Sequence, residues 1–367
     1  MLKKSWVVVT AAATVAVSAL AASSALAMGG SSSGGGSSSG SSSWRIVKQL
    51  HGGSFADITA VTAVGRNGGW AFDGQSSPAA WERNGSAWSR MPFPGRGGEQ
   101  VAVAAATSAS NVWAFTDDGQ HSRALRWNGA TWSVTGTFSR VIGGAAVLSP
   151  RDVWVFGQPL IPGQQLGAWH YNGHAWSQVP SGRGLEGGSA LSASSVWAFQ
   201  GTDVAHWNGS TWSRTSVARL LPARQFLNDP AVTGIYAQSP TSVYAIGNGN
   251  LQDEGGPLVV LHYNGQSWTK VAGGNYGYGT QPLQQLTSDG HGGIWIPAPG
   301  FNGQKSYLLH FADGRLTAAS LPVSSSKIAV VTVSRIPGTS DVLAGGYTHQ
   351  ASNSAVNPVA VILQYAR

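Results

Sequence analysis

A short strand motif with Trp at its centre recurs along most of the chain, and this repeat constrains the fold more than any other feature. The clearest copies occupy residues 111–115, 152–156 and 195–199 and read Val-Trp-Ala/Val-Phe after a polar residue. Looser copies, with Trp, Tyr or Leu at the central position, occupy residues 69–72, 242–246, 293–296 and 341–344. The seven copies lie 41 to 51 residues apart, a period typical of repeat architectures.

A second element follows each motif and has the pattern of a β-hairpin. Its best copies share an Asn-Gly pair with a Trp three residues later, at residues 125–132, 169–176, 205–212 and 261–268. Asn-Gly is the strongest signal for a two-residue type I′ turn, whose twist matches that of the flanking strands. In the first of these copies, such a turn places Trp127 opposite Ala130. It places Leu125 opposite Trp132, so the Leu and both Trp side chains share one face.

Each repeat therefore contains an inner strand of small apolar residues, the Trp strand and two hairpin strands. Four antiparallel strands in about 46 residues, without a helical period, predict one blade of a β-propeller. The predicted fold of residues 44–367 is all-β, a seven-bladed β-propeller of four-stranded antiparallel blades. The last repeat ends after its third strand, whereas residues 43–47 resemble a fourth strand without a partner. We therefore expect the N-terminal strand to close the last blade.

Two further segments precede the repeats. Residues 1–27 combine two Lys residues, an Ala/Val-rich apolar run and a small-x-small end, the pattern of a signal peptide. An uncleaved membrane anchor is the alternative, because the run is about long enough to span a bilayer. Residues 28–43 are almost entirely Gly and Ser and predict a flexible linker before the propeller at 44–367. The expected protein is secreted, or N-terminally anchored and outward facing.

Composition agrees with this organisation and excludes several classes of protein. The chain has 16 Trp and 50 Gly residues, which the repeat explains because Gly forms the turns and Trp fills the space between sheets. The chain contains no Cys, which excludes lipoprotein attachment. The formal charge is +7, but Lys and Arg are scattered along the sequence, so nucleic acid is not an expected partner. A membrane is an expected partner only if the N-terminal segment is retained, and the expected state is a monomer.

The Val-Trp-Ala strands and the His-Trp-Asn-Gly-x-x-Trp hairpin at 206–212 resemble those of secreted bacterial kelch-like, galactose-oxidase-type β-propeller repeat proteins. The resemblance covers 44–367 and implies fold far more than function, since propellers host enzymes, lectins and scaffolds. The kelch Gly-Gly doublet is well matched only at Gly345 and Gly346. Galactose-oxidase chemistry needs a Cys-linked Tyr, and the chain has no Cys, so that activity is not implied.

No group of residues has the spacing of a metal or cofactor site. One repeat position holds a His in four blades: His170, His206, His262 and His310. Equivalent positions in different blades are too far apart to bind one ion, so each His is predicted to be a polar residue on a strand face. Residues 287–292 are predicted to form a tight turn and not a sialidase-type Asp box. We therefore expect no metal and no cofactor.

The connections between strands differ on the two faces of the predicted disc. Short turns join strands one to two and three to four on one face, here called the tight-turn face. Longer connections, from strand two to three and from blade to blade, lie on the other, here called the variable-loop face, and rigid scaffolds carry binding residues on such loops. The candidate ligand-binding residues there are Arg219, Arg224, Phe226, Tyr276, Tyr278, Phe301, Lys305, Tyr347 and His349.

Three functions are compatible with these features. The first is an exported, non-enzymatic binding or scaffold module that recognises an extracellular protein or glycan through the variable-loop face. The second is a carbohydrate-binding lectin, since Tyr with a few charges suits sugar or peptide binding. The third is a hydrolase or lyase at the channel mouth, where Asp57, Glu99 and Glu186 precede or open first strands. The small number of acids near the inner strands favours a non-enzymatic role.

Overall fold

The repeats fold into a ring of seven four-stranded antiparallel sheets, the blades of a β-propeller. This confirms the predicted fold class, which alternating strand patterns and closely spaced turns already required. The computed structural model describes residues 43–50, 57–74, 77–157, 166–223, 230–248, 257–276, 285–300, 305–322, 328–348 and 358–366. The predicted signal peptide and almost all of the predicted linker lie outside these residues.

Each blade runs from an inner strand at the channel to an outer strand at the rim. Blades one to three comprise β2 (Ile58–Gly65), β3 (Gly68–Asp73), β4 (Ala79–Asn84), β5 (Ala87–Met91), then β6 (Gln100–Ser108), β7 (Asn111–Asp117), β8 (Ser122–Trp127), β9 (Trp132–Phe138), then β10 (Ile142–Ser149), β11 (Asp152–Gly157), β12 (Gly167–Tyr171), β13 (Trp176–Gln178). Blades four and five comprise β14 (Gly187–Ser192), β15 (Ser195–Gln200), β16 (Asp203–Trp207), β17 (Trp212–Ser216), then β18 (Ala231–Ser239), β19 (Ser242–Asn248), β20 (Leu258–Tyr263), β21 (Trp268–Gly274). Blade six comprises β22 (Thr287–Ser288), β23 (Ile294–Ala298), β24 (Tyr307–Ala312) and β25 (Arg315–Ala318).

Blade seven is built from both ends of the chain. Its first three strands are β26 (Ile328–Arg335), β27 (Val342–Thr348) and β28 (Val359–Ala366), and its outer strand is β1 (Ser43–Leu50). Trp44 pairs with Tyr365 in the antiparallel β1–β28 ladder. The predicted closure by the N-terminal strand is therefore confirmed.

The described residues contain one helix, a 3₁₀ turn at Ala218–Leu220, and no helix long and apolar enough to cross a membrane.

The hairpin register differs from the predicted one. Trp127 lies opposite Trp132, and Leu125 lies opposite Val134, two positions beyond the predicted partners. The cause is the Asn128 side chain, whose Oδ1 accepts hydrogen bonds from the N–H groups of residues 130 and 131, both at 2.9 Å. Its own backbone N–H donates to the carbonyl of residue 131 at 3.2 Å. This Asn-capped loop is four residues long, so the prediction of a two-residue turn was wrong, although the Trp residues still share a face.

Trp residues hold neighbouring blades together. The second-strand Trp of one blade meets the outer-strand Trp of the next edge to face: Trp70 with Trp132 at 5.3 Å, Trp113 with Trp176 at 6.0 Å, Trp154 with Trp212 at 6.3 Å, Trp197 with Trp268 at 6.0 Å, and Trp295 with Trp44 at 5.2 Å. Edge-to-face contact is a preferred geometry for aromatic pairs. In the described residues each of the seven seams between blades contains one buried apolar cluster. The core is therefore divided among the seams.

Candidate functional site

The inner strands of all seven blades surround a central cavity of about 410 Å³. Small residues such as Ala104, Gly144 and Ala190 form much of its wall, because seven strands converge there and leave little room for side chains. Arg335, at the tight-turn end of β26, is the one charged residue among the described residues that line it. None of the three predicted channel-mouth acids is part of this wall.

One side chain crosses the channel. Gln285, two residues before β22, donates a hydrogen bond from Nε2 to the carbonyl of Ala102 in blade two at 2.6 Å. Its Oε1 accepts a hydrogen bond from the hydroxyl of Thr332 in blade seven at 2.5 Å. The same hydroxyl oxygen accepts the N–H of Val61 in blade one at 3.2 Å. Gln285 therefore links blades six, seven and two across the channel.

Glu99 forms a buried ion pair with Arg123. It lies directly before β6 and is buried against Arg123 in β8, whose Nε donates to Glu99 Oε1 at 2.6 Å and whose Nη2 contacts Oε2. Burial alone would raise the pKa of this carboxyl, but the hydrogen bonds from Arg123 and from the backbone of Arg96 lower it below its ordinary value. Glu99 is thus an ionised, fully paired group inside blade two.

Asp57 has the opposite environment. Its Oδ1 is buried without a hydrogen-bond partner, packed so closely on Gly74 that a Cβ there would lie 2.5 Å away. Burial and the nearby Asp73 carboxylate raise the pKa of Asp57 to about 6, against the lowering effect of backbone hydrogen bonds. Burial and Asp57 in turn raise the pKa of Tyr347 in β27. The structure therefore brings the predicted acid Asp57 and the predicted ligand residue Tyr347 together where blade seven meets blade one.

Glu186, the third predicted acid, lies directly before β14 in blade four. Burial raises the pKa of its carboxyl, and a hydrogen bond with the backbone of Gly201 opposes this effect. The three acids therefore open the first strands of blades one, two and four, as the sequence indicates, but they have separate surroundings.

A second group of predicted residues meets at the seam between blades five and six. The Tyr276 ring contacts the Tyr307 ring at 5.3 Å, and the Lys305 ammonium lies 5.0 Å from the centre of the same Tyr307 ring. Tyr276 also donates its hydroxyl to the carbonyl of Leu316 at 3.3 Å. Lys305 is exposed and the two rings are half-buried, so this Tyr–Lys cluster (Tyr276, Lys305, Tyr307) presents a charged and aromatic surface on the variable-loop face.

The remaining predicted ligand residues are dispersed or lie outside the described part of the chain. Arg219 is exposed on the 3₁₀ turn after blade four, away from the Tyr–Lys cluster. The following predicted residues lie outside the described residues: Arg224, Phe226, Tyr278, Phe301 and His349.

The repeated His residues bond within their own blades. His170 Nε2 lies 2.9 Å from Asp152 Oδ1, and His310 Nε2 lies 2.9 Å from Asp289 Oδ2. His206 and His262 contact Ser hydroxyls instead, and all four rings pack on the Trp or Tyr of the second strand at 4.0 to 4.7 Å. No group of three or more His, Cys, Asp or Glu side chains in the described residues is arranged to hold a metal ion.

The predicted tight turn at 287–292 is present, and Asp289 organises it. Asp289 Oδ1 accepts the N–H groups of His291 at 2.7 Å and Gly293 at 2.8 Å. Burial would raise the pKa of Asp289, but the His310 side chain and these N–H groups together lower it.

Several neighbours of the predicted residues carried no sequence signal of their own. Arg123 contacts Glu99 across one intervening strand, Asp73 acts on Asp57 from the end of the neighbouring strand, and Tyr307 lies two residues after Lys305. The register of the strands shows the first two of these contacts.

Comparison with known proteins shows the fold. No protein-family model and no curated protein sequence matches the chain. Among solved structures, the WD40 β-propeller domain of Doa1 is 10% identical, with a TM-score of 0.58 over 87% of this chain and 96% of that one. A structure of YCF48 bound to a D1 peptide is 12% identical, with a TM-score of 0.54 over 88% of this chain and 97% of that one.

A third similar structure is the extracellular domain of BT4673 from B. thetaiotaomicron. It is 9% identical, with a TM-score of 0.58 over 88% of this chain and 39% of that one. All three structures match this β-propeller over most of its length, and identities this low support a shared fold alone.

Proposed function

We propose that this chain is an exported, non-enzymatic binding module that docks an extracellular protein partner on its variable-loop face. The observation that supports this function best is the Tyr–Lys cluster, which places an exposed cation and two half-buried aromatic rings at one blade seam. Tyr and cationic groups are enriched in protein-binding surfaces because they combine apolar area with hydrogen bonding.

The central cavity favours binding over catalysis as the function of this scaffold. Its described wall consists of small and aliphatic residues, hydroxyl groups and one Arg, and both the nitrogen and the oxygen of the Gln285 amide are held by hydrogen bonds. General acid–base catalysis requires a titratable group within hydrogen-bond reach of the substrate proton that it transfers. The described cavity wall carries no carboxylate or imidazole, and Glu99, directly before the inner strand of blade two, is already bound by Arg123.

Two similar structures give this proposal its direction. The YCF48 structure contains a bound D1 peptide, and the BT4673 domain is extracellular. The predicted signal peptide agrees with export, and the likeness of the Trp repeats to kelch-like, galactose-oxidase-type propellers agrees with a secreted binding role.

Selection from a displayed peptide library tests the proposal. Peptides that bind the wild-type chain should bind the Lys305→Glu variant at least tenfold more weakly, because the exposed ammonium lies within the proposed contact surface. Arg66→Glu is the matched control, since Arg66 is exposed in the β2–β3 turn on the tight-turn face.

Two outcomes would overturn the proposal. Either no peptide is enriched while a glycan array gives specific binding, which would identify a lectin, or the Arg66 and Lys305 variants lose binding equally, which would place the contact elsewhere.

A further inference from the structure

Ring closure gathers four basic side chains that are dispersed in the sequence. Arg45 and Lys48 lie on β1, the outer strand of blade seven, and Arg83 and Arg90 lie on β4 and β5 of blade one. Trp44 faces blade six, so Arg45 faces blade one, because successive side chains on a strand point to opposite faces. Arg83 and Arg90 share the face of Trp81 and Trp88, which pack towards blade seven, so the four cations line one seam, here called the closing seam.

The charges of the closing seam are weakly compensated. Burial and the proximity of Arg45 lower the pKa of Arg83, with Asp341 as the one acid among the described residues that opposes this effect. Arg83 Nε donates to the carbonyl of Gly85 and Nη2 to Gln364 Oε1, whereas Nη1 is buried without an acceptor. Lys48 Nζ lies 5.6 Å from the Trp81 ring centre, within cation–π range.

The rim around the seam adds no negative charge. The outer strands β1, β5, β9, β13, β17, β21 and β25 contain no Asp or Glu. On the outer strand of blade four, by contrast, Arg214 is satisfied by Gln200 Oε1 at 2.8 Å and by two backbone carbonyls. The closing seam therefore brings four cations together on a rim whose outer strands contain no carboxylate.

The position of the seam indicates what it faces. The propeller begins at Ser43, two residues before Arg45, and the Gly/Ser composition of residues 28–43 predicts a reach of roughly 20 Å. Those residues connect the seam to the predicted apolar segment, which inserts in a bilayer during export or stays there as an anchor. Where the predicted apolar segment is retained, the edge of the disc that carries the closing seam is the edge nearest the membrane.

We propose that the closing seam docks on an anionic phospholipid surface, with Arg45, Lys48 and Arg90 contacting headgroup phosphates. Guanidinium groups bind phosphate oxygens in a bidentate manner, and each Lys or Arg near an anionic bilayer strengthens association about fivefold. Docking on the rim leaves the variable-loop face free, so it is independent of the proposed partner binding.

Vesicle flotation of the full chain tests this docking. The measured quantity is the ratio of two binding constants, one for vesicles with 30% phosphatidylglycerol and one for pure phosphatidylcholine vesicles. The contribution of the apolar segment cancels in this ratio. The variant Arg45→Gln/Lys48→Gln/Arg90→Gln should lower this ratio about 100-fold, from about fivefold for each residue. The control Arg214→Gln/Lys270→Gln/Arg315→Gln removes the same charge from the outer strands of blades four to six and should change the ratio less than threefold.

Each other result would overturn the proposal. Equal losses in both triple variants would show a general effect of net charge, and a ratio near one for the wild-type chain would show no anionic preference. Abolition of the preference by 5 mM inorganic phosphate at constant ionic strength would identify a free-anion site. Tighter seam-dependent binding to a 20-bp DNA duplex than to the anionic vesicles would identify nucleic acid as the ligand. Thermal unfolding of both variants verifies that each is folded.

Discussion

Asp57→Asn should stabilise the protein at neutral pH and leave it unchanged in acid. The pKa of Asp57 is about 6 in the folded protein, because burial and Asp73 disfavour its charged form, against 3.8 in the unfolded chain. Between about pH 4 and pH 6, therefore, the Asp57 carboxyl is protonated in the folded state and ionised in the unfolded state. A difference of about two pH units corresponds to about 3 kcal/mol.

The sign of this effect follows from the direction of the shift. Because the folded pKa is raised, its contribution to stability is complete below about pH 4 and is lost as the pH rises through about 6. At pH 7.5 the wild-type chain therefore carries a buried, poorly compensated carboxylate. Asn has nearly the same shape and no charge, so the variant avoids that cost.

Urea unfolding at pH 4.0, 5.0, 6.0 and 7.5 measures the effect. The variant minus wild-type difference in unfolding free energy should increase from near zero at pH 4.0 to about 3 kcal/mol at pH 7.5. Asp313→Asn is the matched control, because Asp313 is exposed in a turn at φ 50°, a backbone conformation that Asn tolerates.

A difference that does not change with pH would refute the titration of Asp57 as its cause. A variant less stable than the wild type at pH 7.5 would show that the backbone hydrogen bonds to the carboxylate outweigh its burial and its repulsion by Asp73.

Three further predictions concern the elements around the site. Deleting residues 44–50 should abolish the cooperative thermal transition, because it removes the outer strand of blade seven and exposes Trp295, which packs on Trp44 at 5.2 Å; a retained transition by calorimetry would contradict this. Arg123→Met should lower the free energy of unfolding by about 3–5 kcal/mol in urea at pH 7, because it leaves Glu99 buried and unpaired. Adding Glu99→Gln should recover most of that loss in stability. Asp289→Ala should cost about 2 kcal/mol at pH 7 by removing the turn hydrogen bonds, and because the pKa of Asp289 is lowered, its stabilisation is present above about pH 4 and disappears as the pH falls below that value; an equal cost at pH 2.5 would contradict the titration.

The ring architecture was predictable because its signals are local and repeated. The Trp strand and the Asn-Gly hairpin occur at similar spacing in successive blades, and the unpaired fourth strand at residues 43–47 matched the missing strand of the last repeat. The hairpin register was not predictable from the Asn-Gly pair, since the Asn128 side chain caps two N–H groups and lengthens the loop.

The candidate sites were predictable only in part, for a physical reason. A single sequence shows which residues open strands, so it placed Asp57 and Glu99 at the starts of first strands. It does not show which side chains meet between strands, and that contact decides whether an acid lies against a cation, like Glu99 with Arg123, or against another carboxylate, like Asp57 with Asp73. The sequence does not show that the four cations of the closing seam lie together, for the same reason.

Blade seven also has a consequence for the order of events during synthesis. Among the strands of the described propeller, β1 leaves the ribosome first and its hydrogen-bonding partner β28 leaves it last. Trp44 cannot pack against Trp295 and Tyr365 until both have been synthesised, so its apolar surface stays in water until the ring is complete. Pairing over so long a sequence separation is intrinsically slow. The strand pairing that closes the finished ring therefore leaves β1 unpaired and exposed to aggregation while the rest of the propeller is being translated.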